Sequence, residues 1–275
     1  MNNMKKTLLA IALATLSLSA SAHRGWLYPQ ATHVEGKEAW VTIDGAISEG
    51  LFDIDHVALR LDDATVIDPD GVSTPRAQER DGQAAQQLRP EDGQGRYLQN
   101  SLVTQNIMGS YKDKAGGELK CFRGTEATLA NDVPADAQDV KTVRTHARLE
   151  TFVSANKQST GAFKPTGVGL EMIPVTHPTD LRPGETATWR FQLDGKPLPK
   201  FAFSLTPGGV RYRGVLGEVR LVTDAKGEVS VKLPAAGMYW LHAGFPVTSE
   251  KNVPADAPAD LRRFSYAATL EILPE

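Results

Sequence analysis

Short runs of alternating apolar and polar residues recur along this chain, and Gly, Pro, Asn and Asp separate them. Alternation places successive side chains on opposite faces of a strand, so the pattern predicts a β-rich fold. Long segments with the 3.6-residue period of an amphipathic helix are missing. The longest alternating run extends from Val143 to Val153, where Arg144, His146 and Glu150 share the polar face.

The pattern is clearest in the second half of the chain. Seven or so short strands are predicted within about 105 residues, with turns such as Asp194-Gly195 at regular spacing. This arrangement is typical of a β-sandwich of the immunoglobulin-like class. Residues 154–166 are rich in Ser, Lys, Gly, Thr and Pro, which is the composition of a linker. We therefore expect an N-terminal β-rich domain over residues 23–165 and a C-terminal β-sandwich over residues 166–275.

The first 22 residues predict a cleaved signal peptide. Lys5 and Lys6 precede an apolar run from Thr7 to Leu18, and Ala20-Ser21-Ala22 matches a cleavage site. The apolar run is shorter than the ~20 residues that span a bilayer, so we expect no membrane insertion after processing. The two lysines and the alanine-rich run are typical of bacteria, which makes the periplasm the predicted compartment.

Cleavage after Ala22 takes the chain from 275 to 253 residues and the formal net charge from −3 to −5. A mildly acidic chain without a basic run gives no support for a nucleic-acid partner. Cys121 is the only cysteine, so no intrachain disulfide can form. Because free cysteine is among the most buried residue types, we interpret this thiol as a small packed side chain.

The same cleavage makes His23 the first residue of the mature chain. An α-amine with a reference pKa of ~7.7–8.0 then shares a residue with an imidazole of pKa ~6.5, and both can be neutral ligands near neutral pH. Amine and imidazole nitrogens suit Cu, Ni, Zn and Co. A second imidazole would complete a T-shaped brace around the ion. The chain offers five further histidines for this role, namely His33, His56, His146, His177 and His242.

His56 and His146 rank first among these candidates. His56 follows two carboxylates at the start of a predicted strand, and His146 projects from the polar face of the long strand. His242 is expected to face solvent or pack locally. The predicted metal ligands are therefore His23, His56 and His146, and Cu, Ni and Co all remain open because no H-x-x-x-H, H-E-x-x-H or C-x-x-C motif is present.

Two other segments carry chemistry-bearing residues. Trp26, Tyr28 and Trp40 form an aromatic cluster that could line a ligand groove, although packing of Trp26 and Trp40 in the first sandwich is favoured. The segment Gly208–Gly214 is glycine-rich and basic but lacks the strand–helix context of a phosphate loop. It is interpreted as a long interstrand loop that could meet a partner protein or an anionic ligand. No G-x-S-x-G motif indicates a serine hydrolase.

Six stretches of the chain carry a resemblance to a known family. They are Ala22–Pro29, Gly169–Pro174, Leu181–Glu185, Leu193–Pro197, Gly237–Leu241 and Ser265–Glu271. In this order they resemble a bacterial periplasmic two-domain family of unknown function, DUF4198-like, whose members begin with an "AH…WL.P" motif after the signal peptide. Members are sometimes labelled a periplasmic component of cobalt or nickel transport. The resemblance implies two β-sandwich domains, the second immunoglobulin-like or transthyretin-like.

These observations favour a periplasmic transition-metal-binding accessory protein that uses His23 to capture, buffer or hand over an ion. A membrane transport component is the partner that this function requires. One alternative is a non-catalytic interaction module that binds through edge strands or loops. Another is a copper-dependent oxidase resembling polysaccharide monooxygenases, which also begin at a brace histidine on a β-sandwich. No residue of the chain is predicted to be catalytic.

Overall fold

The computed structural model describes residues 23–36, 39–61, 64–67, 73–75, 79–80, 83–88, 96–114, 117–158, 160, 163–246 and 260–275. The fold is all-β and sandwich-like, as the alternating pattern predicts. The predicted signal peptide, residues 1–22, lies outside the described residues. Neither helix found in the described ranges has the length and hydropathy to cross a bilayer.

Nineteen strands and two helical turns make up the described part of the chain. The strands are β1 (Arg24–Pro29), β2 (His33–Val34), β3 (Ala39–Ser48), β4 (Val57–Ala58), β5 (Ala64–Ile67), β6 (Ser73–Pro75), β7 (Glu79–Arg80), β8 (Gln83–Leu88), β9 (Arg96–Lys112), β10 (Leu119–Gly124), β11 (Gln138–Ala155), β12 (Leu170–Pro174), β13 (Thr186–Leu193), β14 (Lys196–Pro197), β15 (Ala202–Pro207), β16 (Val219–Val222), β17 (Glu228–Lys232), β18 (Gly237–Phe245) and β19 (Asp260–Ile272). The helical turns are α1 (Leu129–Asp132) and α2 (Val210–Arg213).

These strands form three sheets. The first has the order β1-β3-β8-β7, with β4 also paired to β3. The second, with ten strands, has the order β16-β15-β18-β19-β11-β9-β5-β6, and it also pairs β10 with β9 and β2 with β11. The third has the order β12-β13-β14, with β17 paired to β13. The ten-stranded sheet is the common layer, because the other two sheets pack against it through the hydrophobic clusters described below.

Strands from both sides of the predicted boundary at residue 165 belong to this common sheet. β11 pairs in parallel with β19 from Thr142↔Asp260 to Thr151↔Thr269. On its other edge β11 pairs antiparallel with β9. Backbone hydrogen bonds therefore join the segment before residue 165 to the segment after it.

The hydrophobic core lies on the two faces of the common sheet. The largest cluster packs the four-stranded sheet against it and centres on Trp189, Phe191 and Tyr266, all fully buried. A smaller cluster packs the five-stranded sheet against it through Leu27 and Ile43. A further cluster joins residues of β1 and β3 to residues of β18 and β19, and its members are Trp26, Ala46, Leu51, Trp240 and Ala267.

The polar face of the long strand is buried over its second half, which the alternating pattern does not predict. Arg148 is 5% exposed and Glu150 2%, because β12 and the segment before it cover this face. Arg148 Nη1 lies 3.4 Å from Glu150 Oε1, and its Nη2 lies 3.6 Å from Glu171 Oε1. The hydroxyl of Tyr266 donates to Glu150 Oε2 at 2.7 Å, and the amide of Gln192 donates to Glu171 Oε2 at 2.9 Å. These residues form a buried charged network that holds β11 against β12, β13 and β19.

The interpretation of Cys121 as a packed thiol is wrong. The side chain is exposed. It lies on β10, which in the described residues pairs with β9 alone and is exposed at most positions. Stability in this region comes from backbone pairing and not from burial of the thiol.

Candidate functional site

The structure brings two of the three predicted ligands, His23 and His56, together. Their ring centroids lie 4.3 Å apart, with an angle of 35° between the ring planes. Both residues are exposed, so the imidazoles can rotate to direct one nitrogen each toward a shared ion. Metal–nitrogen bonds are about 2.0–2.1 Å long, and two imidazoles in contact fit around one ion after such a rotation.

Strand pairing places the two histidines. β1 and β4 pair with β3 from opposite edges, so that Gly25, Ile47 and Val57 form one row across the sheet. His23 directly precedes β1, and His56 directly precedes β4. The register of the first sheet therefore carries both imidazoles to the same end of β3.

The loop that carries His56 is held by Asp55. Its carboxylate accepts hydrogen bonds from the backbone N–H of Gly50 at 2.8 Å and of Glu49 at 3.0 Å. The hydrogen bond from Gly50 contributes most to a lowered pKa of Asp55, and the bond from Glu49 and the nearby His56 lower it further. A carboxylate that remains charged beside His56 favours a cation at this position.

A cavity of about 420 Å³ opens beside His23 and is lined by both halves of the chain. Leu149 of β11 forms part of its wall, and Trp240 and His242 of β18 form another part. The ring of His242 stacks on that of Trp240, with centroids 4.6 Å apart and planes 7° apart, which agrees with the expectation of local packing. Burial lowers the pKa of His242, so this imidazole is neutral at neutral pH.

His146 lies in a different part of the molecule. It lines a cavity of about 140 Å³ together with Arg144 and Phe264. Its Nδ1 is buried and has no hydrogen-bond partner among the described residues, and burial lowers the pKa of His146, with the charge of Arg148 adding to the effect. Its neighbour Ala147 lines the cavity beside His23, so the two histidines are on opposite faces of β11. The structure does not bring His146 to His23 and His56.

Across the described residues, no three or more His, Cys, Asp or Glu side chains are grouped to hold a metal ion. A site at His23 and His56 thus has two side-chain donors. The third donor available at this position is the α-amine of His23, which exists only if the chain is cleaved after Ala22. The arrangement therefore fits a T-shaped set of three nitrogen ligands that cleavage after Ala22 would complete.

A second cavity, of about 450 Å³, lies where β1 and the loop after β3 meet α2 and β18. We call it the aromatic cavity, because Trp26, Tyr28, Phe52 and Tyr212 line it. Trp26 is 2% exposed, and its indole Nε1 donates to Ser48 Oγ at 2.7 Å, so it packs as expected.

Two expectations about this region need correction. Trp40 does not pack in the first sandwich: it is 51% exposed, because Val41 and Ile43 take the inward positions of β3. Its place in the aromatic cluster is taken by Phe52, whose ring lies 5.0 Å from that of Tyr28. The glycine-rich segment is not purely a loop, since Val210–Arg213 forms the helical turn α2. Phe52 could have been found from the sequence, because it and Leu51 are two consecutive apolar residues in a loop that also contains Asp53 and Asp55.

Fold and site together define a β-sandwich protein with a two-histidine cluster beside its first strand. A family model described as a domain of unknown function, DUF4198, matches residues 20–246, and the chain belongs to that family. No curated protein matches the chain.

Among solved structures, the chain is similar to Escherichia coli alpha-2-macroglobulin activated by porcine elastase, at 9% sequence identity and a TM-score of 0.21. The match covers 92% of this chain and 30% of that one, so the chain spans less than a third of the length of that protein.

Proposed function

We propose that this chain is a periplasmic accessory protein that binds a transition-metal ion at its mature N-terminus. The ion is Cu²⁺, Ni²⁺ or Co²⁺, and the protein captures it, buffers it or hands it to a membrane transport component. The observation that carries the proposal is the contact between His23 and His56, whose ring centroids are 4.3 Å apart.

The donor set supports this class of ion. Two imidazoles and one primary amine are borderline nitrogen ligands, which late first-row metals bind well and hard cations such as Ca²⁺ and Mg²⁺ bind poorly. The charged carboxylate of Asp55 beside His56 adds a favourable electrostatic contribution without occupying a coordination position.

The position of the pair supports capture and transfer. His23 and His56 are both exposed, so an ion held there keeps coordination positions open to a partner. Structural metal sites are closed by four protein ligands, whereas an open site permits exchange of ligands. A three-nitrogen site at the start of the chain is therefore suited to hand-over.

The test is calorimetric titration of Cu²⁺ and Ni²⁺ into protein whose intact mass shows that it begins at His23. We expect His23→Ala and His56→Ala each to weaken the affinity at least about tenfold, since each removes one donor. His33→Ala is the matched control, because His33 is exposed on β2, which pairs with β11 in the ten-stranded sheet, and its loss should not change the affinity. A variant with one Gly added before His23 keeps both imidazoles but displaces the amine, and its metal affinity should fall by a comparable factor.

Equal affinities for the wild type and His23→Ala would overturn the proposal. Electron paramagnetic resonance of the Cu²⁺ complex gives an independent check, because three nitrogen ligands are expected and His56→Ala should leave two. A spectrum unchanged by His56→Ala would exclude the pair as the site.

A further inference from the structure

The aromatic cavity contains a buried carboxylate, one oxygen of which accepts no hydrogen bond from the described residues. Asp44 of β3 lines the cavity and is 9% exposed. Its Oδ2 accepts a hydrogen bond from the amide of Gln30 at 2.7 Å, whereas its Oδ1 is buried and has no hydrogen-bond partner within the part of the chain that the structure describes. Buried charges in proteins are normally paired, so an acceptor of this kind calls for a donor from outside the chain.

The charges around the cavity leave Asp44 uncompensated. Arg211 also lines the cavity, but it is paired with Asp53, with Nη1 and Oδ1 3.3 Å apart. The three charged residues of the lining therefore sum to one negative charge. The pKa of Tyr28 is raised by burial first and then by the charges of Glu271 and Asp44, which indicates a negative potential at its hydroxyl.

The remaining walls are aromatic. Phe52 lies edge-on to Tyr28, with ring centroids 5.0 Å apart, and to Trp26, with centroids 5.7 Å apart. Tyr212 stands at the rim and is 86% exposed. Rings that meet at steep angles form walls on several sides of a ligand, and their faces attract cations.

We propose that the aromatic cavity is a binding site for a small organic cation, an ammonium group with apolar substituents, for which Asp44 is the counterion. The volume of about 450 Å³ lies in the range of small-molecule sites and accommodates a ligand of this kind.

Two other classes of ligand fit less well. A hard metal ion needs six or more oxygen ligands, and this cavity supplies one uncompensated carboxylate. A sugar needs several donors and acceptors, but the amide of Gln30 is used by Asp44, and Asp53 and Arg211 are used by each other. Besides the hydroxyls of Tyr28 and Tyr212, what is left in the described lining is one acceptor with negative charge among aromatic rings, which suits a cation.

The test compares choline with a neutral ligand of the same shape and adds a second cation. Calorimetry with metal-free protein would measure choline, butylammonium and 3,3-dimethylbutan-1-ol, the last being the neutral carbon counterpart of choline. We expect choline and butylammonium each to bind saturably, and the neutral alcohol to bind at least about tenfold more weakly than choline. This comparison in the wild type does not depend on any variant folding.

Variants then assign the site. Asp44→Asn should weaken binding of the cation at least about tenfold, and Tyr212→Ala should weaken it several-fold, since Tyr212 is too exposed to be needed for folding. Asp136→Asn is the matched control, because Asp136 is exposed and does not line the cavity. His23→Ala should leave the affinity unchanged, which separates this site from the proposed metal site.

Absence of saturable binding by both cations up to about 10 mM, a range that includes weak specific ligands, would overturn the proposal. So would equal binding of choline and its neutral counterpart, or an unchanged affinity in a folded Asp44→Asn variant. Preferential binding of a disaccharide such as cellobiose would replace the organic cation with a sugar and would equally refute the assignment.

Discussion

Arg148→Met tests the buried charged network most directly. The substitution keeps most of the aliphatic bulk of the side chain but removes the cation that lies 3.4 Å from Glu150 and 3.6 Å from Glu171. Both carboxylates are at most 5% exposed, so water cannot replace the lost guanidinium. The hydrogen bonds that Arg148 Nη2 donates to Thr166 Oγ1 and to the carbonyl of Val168 are lost as well.

Removing one partner from a buried ion pair costs about 3–5 kcal/mol, because the charge left behind is uncompensated. For a domain of this size each kcal/mol lowers the melting temperature by about 2–4 °C, so we expect a decrease of about 6–20 °C. The loss should be smaller at pH 5 than at pH 7.5. Burial raises the pKa of Glu171 and Arg148 is among the groups that lower it, so removing Arg148 raises this pKa, and protonation of Glu171 then removes one of the uncompensated charges.

Urea unfolding followed by tryptophan fluorescence measures the free energy of unfolding of each variant. The matched control is Arg190→Met, because Arg190 is half-exposed and pairs with Glu228 across neighbouring strands at 3.0 Å. Surface pairs contribute about 0–1 kcal/mol, and the control should lose no more than that. Adding Glu150→Gln and Glu171→Gln to Arg148→Met removes the stranded charges and should restore about half of the loss or more.

A loss below about 1 kcal/mol for Arg148→Met would refute the reasoning, since it would place the network in a solvated environment. A triple variant as unstable as Arg148→Met alone would also refute it. In that case the hydrogen bonds and packing of the side chain would account for the effect, and the buried charge would not.

Two further predictions concern stability. Gly169→Ala should destabilise the fold by about 2–4 kcal/mol, because the φ of Gly169 is +73° and an added Cβ would lie 2.4 Å from Cε1 of His146. Gly184→Ala is the control: its φ is +78° but the space around it is open, so it should lose only the backbone cost of about 1–2 kcal/mol. Equal losses in unfolding free energy would show that contact with His146 is unimportant. Stability should fall as the pH drops below about 6.5, because burial holds the pKa of His242 below its ordinary value in the folded state, and the unfolded chain takes up the proton first. The urea midpoint of unfolding at pH 5 and 7.5 measures this loss of stability. If the midpoint of His242→Gln changes with pH as much as that of the wild type, the effect belongs to other groups.

The strand pattern could be read from the sequence because one face of most strands is buried and the other exposed. β13 and β15 repeat this alternation clearly, and the long strand predicted over Val143–Val153 lies within β11. The pairing of β11 with β19 could not be predicted, since parallel pairing between strands about 120 residues apart leaves no local signal. Burial of Arg148 and Glu150 could not be predicted either, because alternation within β11 does not show that residues 166–171 fold back over its polar face.

The candidate site was partly accessible to sequence reasoning. His23 was identified from the predicted cleavage after Ala22, and His56 from its place beside two carboxylates at a strand start. His146 was predicted because it projects from the polar face of the long strand, but periodicity does not show which side of a sheet another segment occupies. The aromatic cavity was not predictable as a whole, because Phe52 and Tyr212 are separated by about 160 residues and meet only through tertiary packing.

The cavity beside His23 and the aromatic cavity both depend on contact between the two segments that the sequence divides at residue 165. Trp240 of the second segment donates from its indole Nε1 to the carbonyl of Gly25 at 3.0 Å, and it packs in one cluster with Trp26. The cavity beside His23 and the aromatic cavity lie next to this contact, and each takes part of its lining from either segment. A fragment that ends before β12 would therefore keep His23 and His56 but lose Tyr212 and one wall of each cavity. Binding of the proposed metal ion and organic cation should therefore be measured on a chain that contains both segments.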